Sequence, residues 1–115
     1  MRDDAGRLRD ILNAIDKIRS YVDKGRGEFE QSELVQVWIL YQIQVIGEAA
    51  RGLSPEIRAA QPEVPWLDVI GMRNILVHEY FGIDLQEVWD TAVNDIPPLR
   101  ARITTILERA KDAAE

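Results

Sequence analysis

From Leu34 to Ile46 apolar side chains fall on nearly every side of a helix: Val35, Val37, Trp38, Ile39, Leu40, Tyr41, Ile43 and Val45 lie between them. A helix apolar all round is either central in its bundle or covered on its outer face by a partner. In 115 residues both outcomes are open. A chain of this length fits one domain burying roughly two-thirds of its unfolded surface, enough for one core. The segment, about 29–52, therefore predicts a self-association surface, with a purely internal central helix as the alternative. Its end, Gly47-Glu48-Ala49-Ala50-Arg51, carries small residues that permit close approach of a second helix, together with a Glu/Arg pair.

The neighbouring segments are plainer. Over residues 4–23, Leu8, Ile11, Leu12, Ile15, Ile18 and Val22 recur at spacings of three and four, with charged residues between them, which predicts one amphipathic helix. Lys24-Gly25-Arg26-Gly27 ends it, since glycine accepts the positive φ of a chain reversal. Ser54-Pro55 reads as an N-cap followed by proline at the first helical position, opening a short helix to about Ala60. Pro62 and Pro65 bracket an extended linker. From Pro65 a further helix is expected, with Trp66, Leu67, Ile70, Ile75 and Val77 as core contacts, ending near Phe81-Gly82. Asp84 caps the next, whose inner face is Leu85, Val88, Trp89, Ala92, Val93 and Ile96. Pro97-Pro98 should interrupt its hydrogen-bond ladder before Leu99, Ile103, Ile106, Leu107 and Ala110 resume the stripe. No alternating strand pattern or repeat is visible. The expected architecture is an all-α, up-and-down helical bundle of four main helices plus a short helix. It forms a single domain over residues 1–115, with residues 112–115 frayed.

Charge and cysteine usage exclude several functions. Without cysteine, disulfides and thiolate metal sites are out, and a cytoplasmic, reducing compartment is the expectation. No apolar run reaches the roughly 18 residues of a membrane span, and residues 1–10 lack a signal-peptide core. The net charge of -6 argues against a broad nucleic-acid surface, because neutralising phosphates dominates that affinity. It leaves room for a small site built on a few arginines. One histidine cannot furnish the two Glu-x-x-His motifs of a di-iron bundle. No nucleophile elbow or phosphate-cradling glycine loop is present.

Chemistry concentrates in Gly71-Met72-Arg73-Asn74-Ile75-Leu76-Val77-His78-Glu79-Tyr80, which holds the only histidine. On a helix Asn74 lies four residues before His78, on the same face, and can orient its ring. Arg73 lies five before it, roughly 140° round the axis, so the two do not stack directly. The residue types suit phosphodiester chemistry. Arginine presents a fork to a phosphate, histidine titrates near neutrality, and a tyrosine can donate to phosphate or stack on a base. Cleavage through a 2′-hydroxyl benefits from one group accepting a proton and another donating one. With one histidine per chain, both are available if two chains pair with their motifs facing, which predicts a two-fold homodimer. The plainer alternatives have Arg73 paired with Glu79 or Asp68, His78 capping carbonyls, and Tyr80, Trp38, Trp66 and Trp89 in core or interface.

The spacing Arg73-Asn74-x-x-x-His78-x-Tyr80 resembles the signature of the HEPN superfamily, specifically its HepT-like ribonuclease toxin branch. So do, in order, Ile46-Gly47-Glu48-Ala49-Ala50-Arg51, Pro65-Trp66-x-x-Val69-Ile70-Gly71-Met72-Arg73-Asn74, Tyr80-Phe81-Gly82-Ile83-Asp84, Val88-Trp89 and Asp95-Ile96-Pro97-Pro98-Leu99. The likeness spans about residues 4–110. It implies a HEPN-like bundle forming a homodimer with both motifs at the interface, acting as a metal-independent endoribonuclease without a cofactor. The RNA substrate, with tRNA as one candidate, would be cut by 2′-hydroxyl attack. It further implies the toxin of a type VII-like toxin–antitoxin pair, neutralised when a minimal nucleotidyltransferase antitoxin adds AMP to the motif tyrosine. On this chain Arg73 and His78 would be catalytic, Asn74 supporting and Tyr80 the modification target. Glu48 and Arg51 would form a second layer behind them. The alternative is a non-catalytic helical module that binds a nucleotide or that partner.

Overall fold

A computed structural model describes residues 3–72 and 84–114. Among these the chain is helical with no strand. Its elements are α1 (Asp4–Val22), α2 (Arg26–Gln31), α3 (Glu33–Arg51), α4 (Pro55–Ala60), α5 (Trp66–Gly71), α6 (Leu85–Asp90), a π-helical turn (Thr91–Asp95) and α7 (Ile96–Ala114). The expected all-α bundle is what forms.

Helix α1 starts where Asp3 Oδ1 accepts the Gly6 N–H at 2.7 Å, satisfying one of the donors a helix start leaves orphaned. Its stripe of Leu8, Ile11, Ile15 and Ile18 is fully buried. The chain then turns at Gly25, whose φ of 97° and ψ of 161° form a conformation open only to glycine. Helix α1 packs against α3 on one side and α7 on the other, while α3 in turn also carries α5 and α2. Exposed Asp16 accepts from Arg100 Nε at 2.8 Å, linking α1 to α7. That hydrogen bond and charge hold the Arg100 guanidinium above its ordinary pKa.

One continuous helix from residue 29 was expected; the chain breaks at Ser32 instead. Ser32 is extended (φ -121°, ψ 106°), and its Oγ accepts the Val35 N–H at 3.2 Å to start α3. Behind it, buried Gln36 donates Nε2 to the Phe29 carbonyl at 2.9 Å and the Glu30 carbonyl at 3.2 Å, satisfying acceptors at the end of α2. The break turns Phe29 inward, 1% exposed, against Trp89 with ring centroids 5.2 Å apart. The inner face of α3 is Val35, Ile39, Ile43 and Ile46, all buried, while Leu34, Val37, Trp38 and Tyr41 face outward. The purely internal reading of this helix is therefore wrong.

Ser54 joins two elements: its Oγ accepts the Ile57 N–H at 3.3 Å to begin α4, and its own N–H donates to Asp4 Oδ1 at 2.9 Å. Helix α5 follows Pro65 and packs on α3. Its buried contact is Val69, continued by Met72, with Trp66 and Ile70 half-buried against the core. Leu67, expected in the core, is 85% exposed. Ile75 and Val77 lie outside the described residues.

Asp84 Oδ1 accepts the Glu87 N–H at 3.0 Å and starts α6 as expected. Pro97-Pro98 does not break the helical path. The ladder widens just before it, where the Ile96 N–H bonds the Thr91 carbonyl five residues back. The prolines then enter α7 directly after this widened turn, which accommodates their rings and missing N–H groups without ending the helix. Val88, Ala92, Ile96, Leu99, Ile103, Ile106 and Leu107 complete the core. No described helix is long and apolar enough to cross a membrane.

Candidate active site

Arg73, Asn74, His78 and Tyr80 lie outside the described residues, as does Glu79. What the structure places is the frame on both sides of them. Helix α5 delivers the chain to Met72, and Asp84 receives it at the start of α6.

The position of α5 is set at its first residue. Trp66 Nε1 donates to the carbonyls of Arg58 and Gln61, both at 3.0 Å, fastening the start of α5 to the end of α4. Val69 and Met72, 2% and 6% exposed, hold its inner face in the core. One turn and a half of helix thus has three anchors, and the residue after the last of them is Arg73.

Helix α5 packs on α3 rather than on α7, which leaves a cleft of about 1040 Å³ between the two walls that flank the motif. One wall is formed by Glu63, Pro65, Leu67, Asp68, Val69, Gly71 and Met72. The other comes from Asp84 through Arg102, including the π turn at Thr91, Asn94 and Asp95. Its described lining carries the carboxylates of Glu63, Asp68, Asp84, Glu87, Asp90 and Asp95 against one cation, Arg102. Two like charges 4 Å apart repel by about 1 kcal/mol in water and about 4 kcal/mol near a protein surface. A polyanion threading this cleft meets that repulsion repeatedly, and the described walls offer it a single cation, Arg102. Among the described residues, no group of three or more histidine, cysteine or carboxylate side chains is arranged to hold a metal.

Glu48 and Arg51 sit exposed in the last turns of α3. A cation in the last turn also favours the negative end of the helix dipole, so Arg51 has a local role whatever else it does. The acidic lining and Arg102 are features the sequence reading missed. They come from two segments, 63–72 and 84–102, each of which looks like an ordinary solvated face. The one local signal was Pro97-Pro98, which demands an adjustment nearby and marks where the π turn forms.

Fold and sequence together define a class, the all-α bundles of the HEPN type, with a polar motif carried on from the end of a short, well-anchored helix. Residues 11–106 match the model of the family described as "Ribonuclease HepT-like", and the chain belongs to that family of ribonucleases. Among its relatives, "Putative RNase MJ1380" of Methanocaldococcus jannaschii is 34% identical over 91% of this chain and 97% of that protein. "Probable ribonuclease HepT" of Thermococcus cleftensis is 32% identical over 83% of this chain and 87% of its own. A third, "Gamma-glutamylcyclotransferase and putative RNase MJ0434" of Methanocaldococcus jannaschii, is 37% identical over 88% of this chain, which spans only 46% of that protein. No solved structure matches the chain.

Proposed function

We propose that this chain is the toxin of a type VII-like toxin–antitoxin pair, a metal-independent endoribonuclease acting on RNA in the cytoplasm, with tRNA as one candidate substrate. The observation that carries this reading is the complete motif Arg73-Asn74-x-x-x-His78-x-Tyr80 inside a family match covering residues 11–106.

In the reaction, the 2′-oxygen of the nucleotide before the cut attacks the adjacent phosphorus, and the bond to the 5′-oxygen breaks. A base removes the 2′ proton and an acid protonates the departing oxygen. Arg73 neutralises the charge that builds on the phosphate, Asn74 orients His78, and His78 transfers protons. Each chain has one histidine, so two paired chains supply base and acid together. Neutralisation follows when a minimal nucleotidyltransferase directs the Tyr80 hydroxyl onto the α-phosphorus of ATP, releasing pyrophosphate. The bulky anionic adduct then blocks the site and repels RNA.

His78→Ala is expected to abolish growth inhibition and RNA cleavage while leaving thermal unfolding unchanged, and chelator should leave the parent's cleavage intact. Mass spectrometry of protein expressed with its neighbouring gene should show whole AMP increments on Tyr80. If His78→Ala remains as toxic as the parent, the catalytic assignment fails. The other reading is a non-catalytic module that binds a nucleotide or the partner enzyme, and of these two ligands the acidic lining of the cleft favours a basic face of the partner enzyme. In that case the purified protein cleaves no RNA, and Arg73 substitution weakens partner or nucleotide binding instead.

A further inference from the structure

The motif lies between two ends, Met72 after α5 and Asp84 before α6. Trp66, Val69 and Met72 fasten the first end. The second has less of its own to hold it. Helix α6 runs on into the π turn and α7, so its far end is fixed by continuity. Its first turn, where the chain returns from the motif, has no fully buried residue: Leu85 is half-buried, and Gln86 and Glu87 are exposed.

What reaches that turn is α2. The reversal at Gly25 puts Arg26 at the first position of α2, and Arg26 Nη2 donates to Gln86 Oε1, sixty residues further along the chain. Arg26 Nε donates to Glu30 Oε1 at 2.8 Å, and Gln86 Nε2 donates to Asp90 Oδ1 at 2.8 Å. The four side chains form a row in which the Gln86 oxygen faces a cation and its nitrogen faces a carboxylate. Charge at both ends strengthens each bond and polarises the amide between them. With both amide atoms engaged, Gln86 is held against rotation. One turn further on, Phe29 of α2 meets Trp89 of α6 with ring centroids 5.2 Å apart. Helix α2 is in turn fastened to α3, because Gln36 Nε2 donates to the carbonyls of Phe29 and Glu30.

We infer that Arg26 is a positioning residue of the ribonuclease, fixing the first turn of α6 through Gln86 and with it the point at which the chain leaves the motif. The inference rests on the reading above that the motif is the active site. In sequence His78 stands six residues before Asp84, whereas Arg73 directly follows Met72. Loosening the start of α6 therefore acts on the end of the motif that transfers protons, and less on the end that holds phosphate. Exposed ion pairs add little to stability, and the Arg26 and Glu30 side chains are 47% and 54% exposed. The row accordingly shows itself in turnover and not in melting temperature. A rival role for Arg26 is a cation that draws RNA toward the acidic wall, on which Gln86 and Asp90 both lie. That role acts on KM and leaves kcat alone.

Steady-state cleavage of bulk transfer RNA by the full chain tests the assignment. Arg26→Met and Gln86→Met break the same bond from either side. Each should lower kcat about tenfold, short of the ~10²-fold that a 1 Å misplacement can cost, with KM kept within about twofold. The double variant should be no slower than the slower single, since both changes remove one contact. Both sites are exposed, so melting temperatures should stay within about 4 °C of the parent. Exchanging the partners, Arg26→Gln with Gln86→Arg, rebuilds the bond in the opposite direction at unchanged net charge and should return kcat to within about threefold of the parent. Unchanged kcat in both single variants overturns the inference and leaves the ribonuclease reading standing. So does a loss of kcat that the exchange does not repair, or a rise in KM alone, which makes Arg26 a cation for RNA. A parent that cleaves no RNA overturns the catalytic reading and this inference with it.

Discussion

Replacing Trp66 by phenylalanine keeps an aromatic ring at the start of α5 and removes one N–H. That N–H is shared between the carbonyls of Arg58 and Gln61, each at 3.0 Å. Shared between two acceptors it counts as about one hydrogen bond, worth ~0.5–1.5 kcal/mol net. Gln61 is 8% exposed, so solvent reaches its carbonyl poorly and part of the desolvation cost remains. The smaller ring also gives up some packing against the core. A total loss of about 1–2 kcal/mol is expected, read as a lower urea midpoint at unchanged slope and a melting temperature lower by about 5–10 °C. Because α5 hands the chain to the motif one residue after Met72, RNA cleavage should also fall, measured well below the melting transition where the variant is fully folded. His78→Ala gives the opposite signature, with cleavage lost and stability kept. A change below about 0.3 kcal/mol would show that the indole N–H does not hold α5 to α4. Unchanged cleavage together with the expected loss of stability would show instead that this anchor holds α5 but is not coupled to the site.

Three further perturbations separate the core from its surface. Ile39→Ala removes a fully buried side chain from the α1–α3 interface and should cost about 2–5 kcal/mol in urea unfolding. Leu67→Gln should stay within about 0.5 kcal/mol of the parent despite losing a large apolar group, because Leu67 is already exposed. Gly25→Ala forces a side chain into the φ 97° turn between α1 and α2 and should cost about 1–3 kcal/mol, with Gly27→Ala as a milder control.

The parts of this fold that were legible in the sequence are those fixed by near neighbours. The α1 stripe, the Gly25 reversal, and the Ser54 and Asp84 caps each depend on residues within a turn of themselves. The break at Ser32 was not legible. The apolar pattern runs across it, and what favours the break is Phe29 reaching Trp89, sixty residues further on. Leu67 and Val69 are both apolar residues near the start of a short helix. Which of them turns inward follows from the rotation Trp66 imposes through its hydrogen bonds to α4. The candidate site shows the same division. A lone histidine with an arginine and an asparagine at fixed spacing stands out locally. The carboxylates that surround the approach to it are gathered from two walls and have no signature in either.

That acidic surround makes the electrostatics of RNA binding a sharp test of where the substrate lies. In a chain of net charge -6, the proposed site offers phosphate two cations per chain, Arg73 of the motif and Arg102 of the described cleft wall. A pair of chains therefore offers about four. For single-stranded RNA, log K falls with log salt at about -0.7 per phosphate neutralised. Binding by a cleavage-dead His78→Ala protein should accordingly show a slope no steeper than about -3, and Arg102→Gln should make it shallower by at most about 1.4 if both copies contribute. The carboxylates work in the same direction, since they confine the contacts to a few nucleotides around the cut. A slope of about -5 or steeper would mean that RNA runs along a basic surface away from the cleft. In that case Arg73 and Arg102 could not be the principal phosphate contacts, and the substrate path would have to be sought on the opposite side of the bundle.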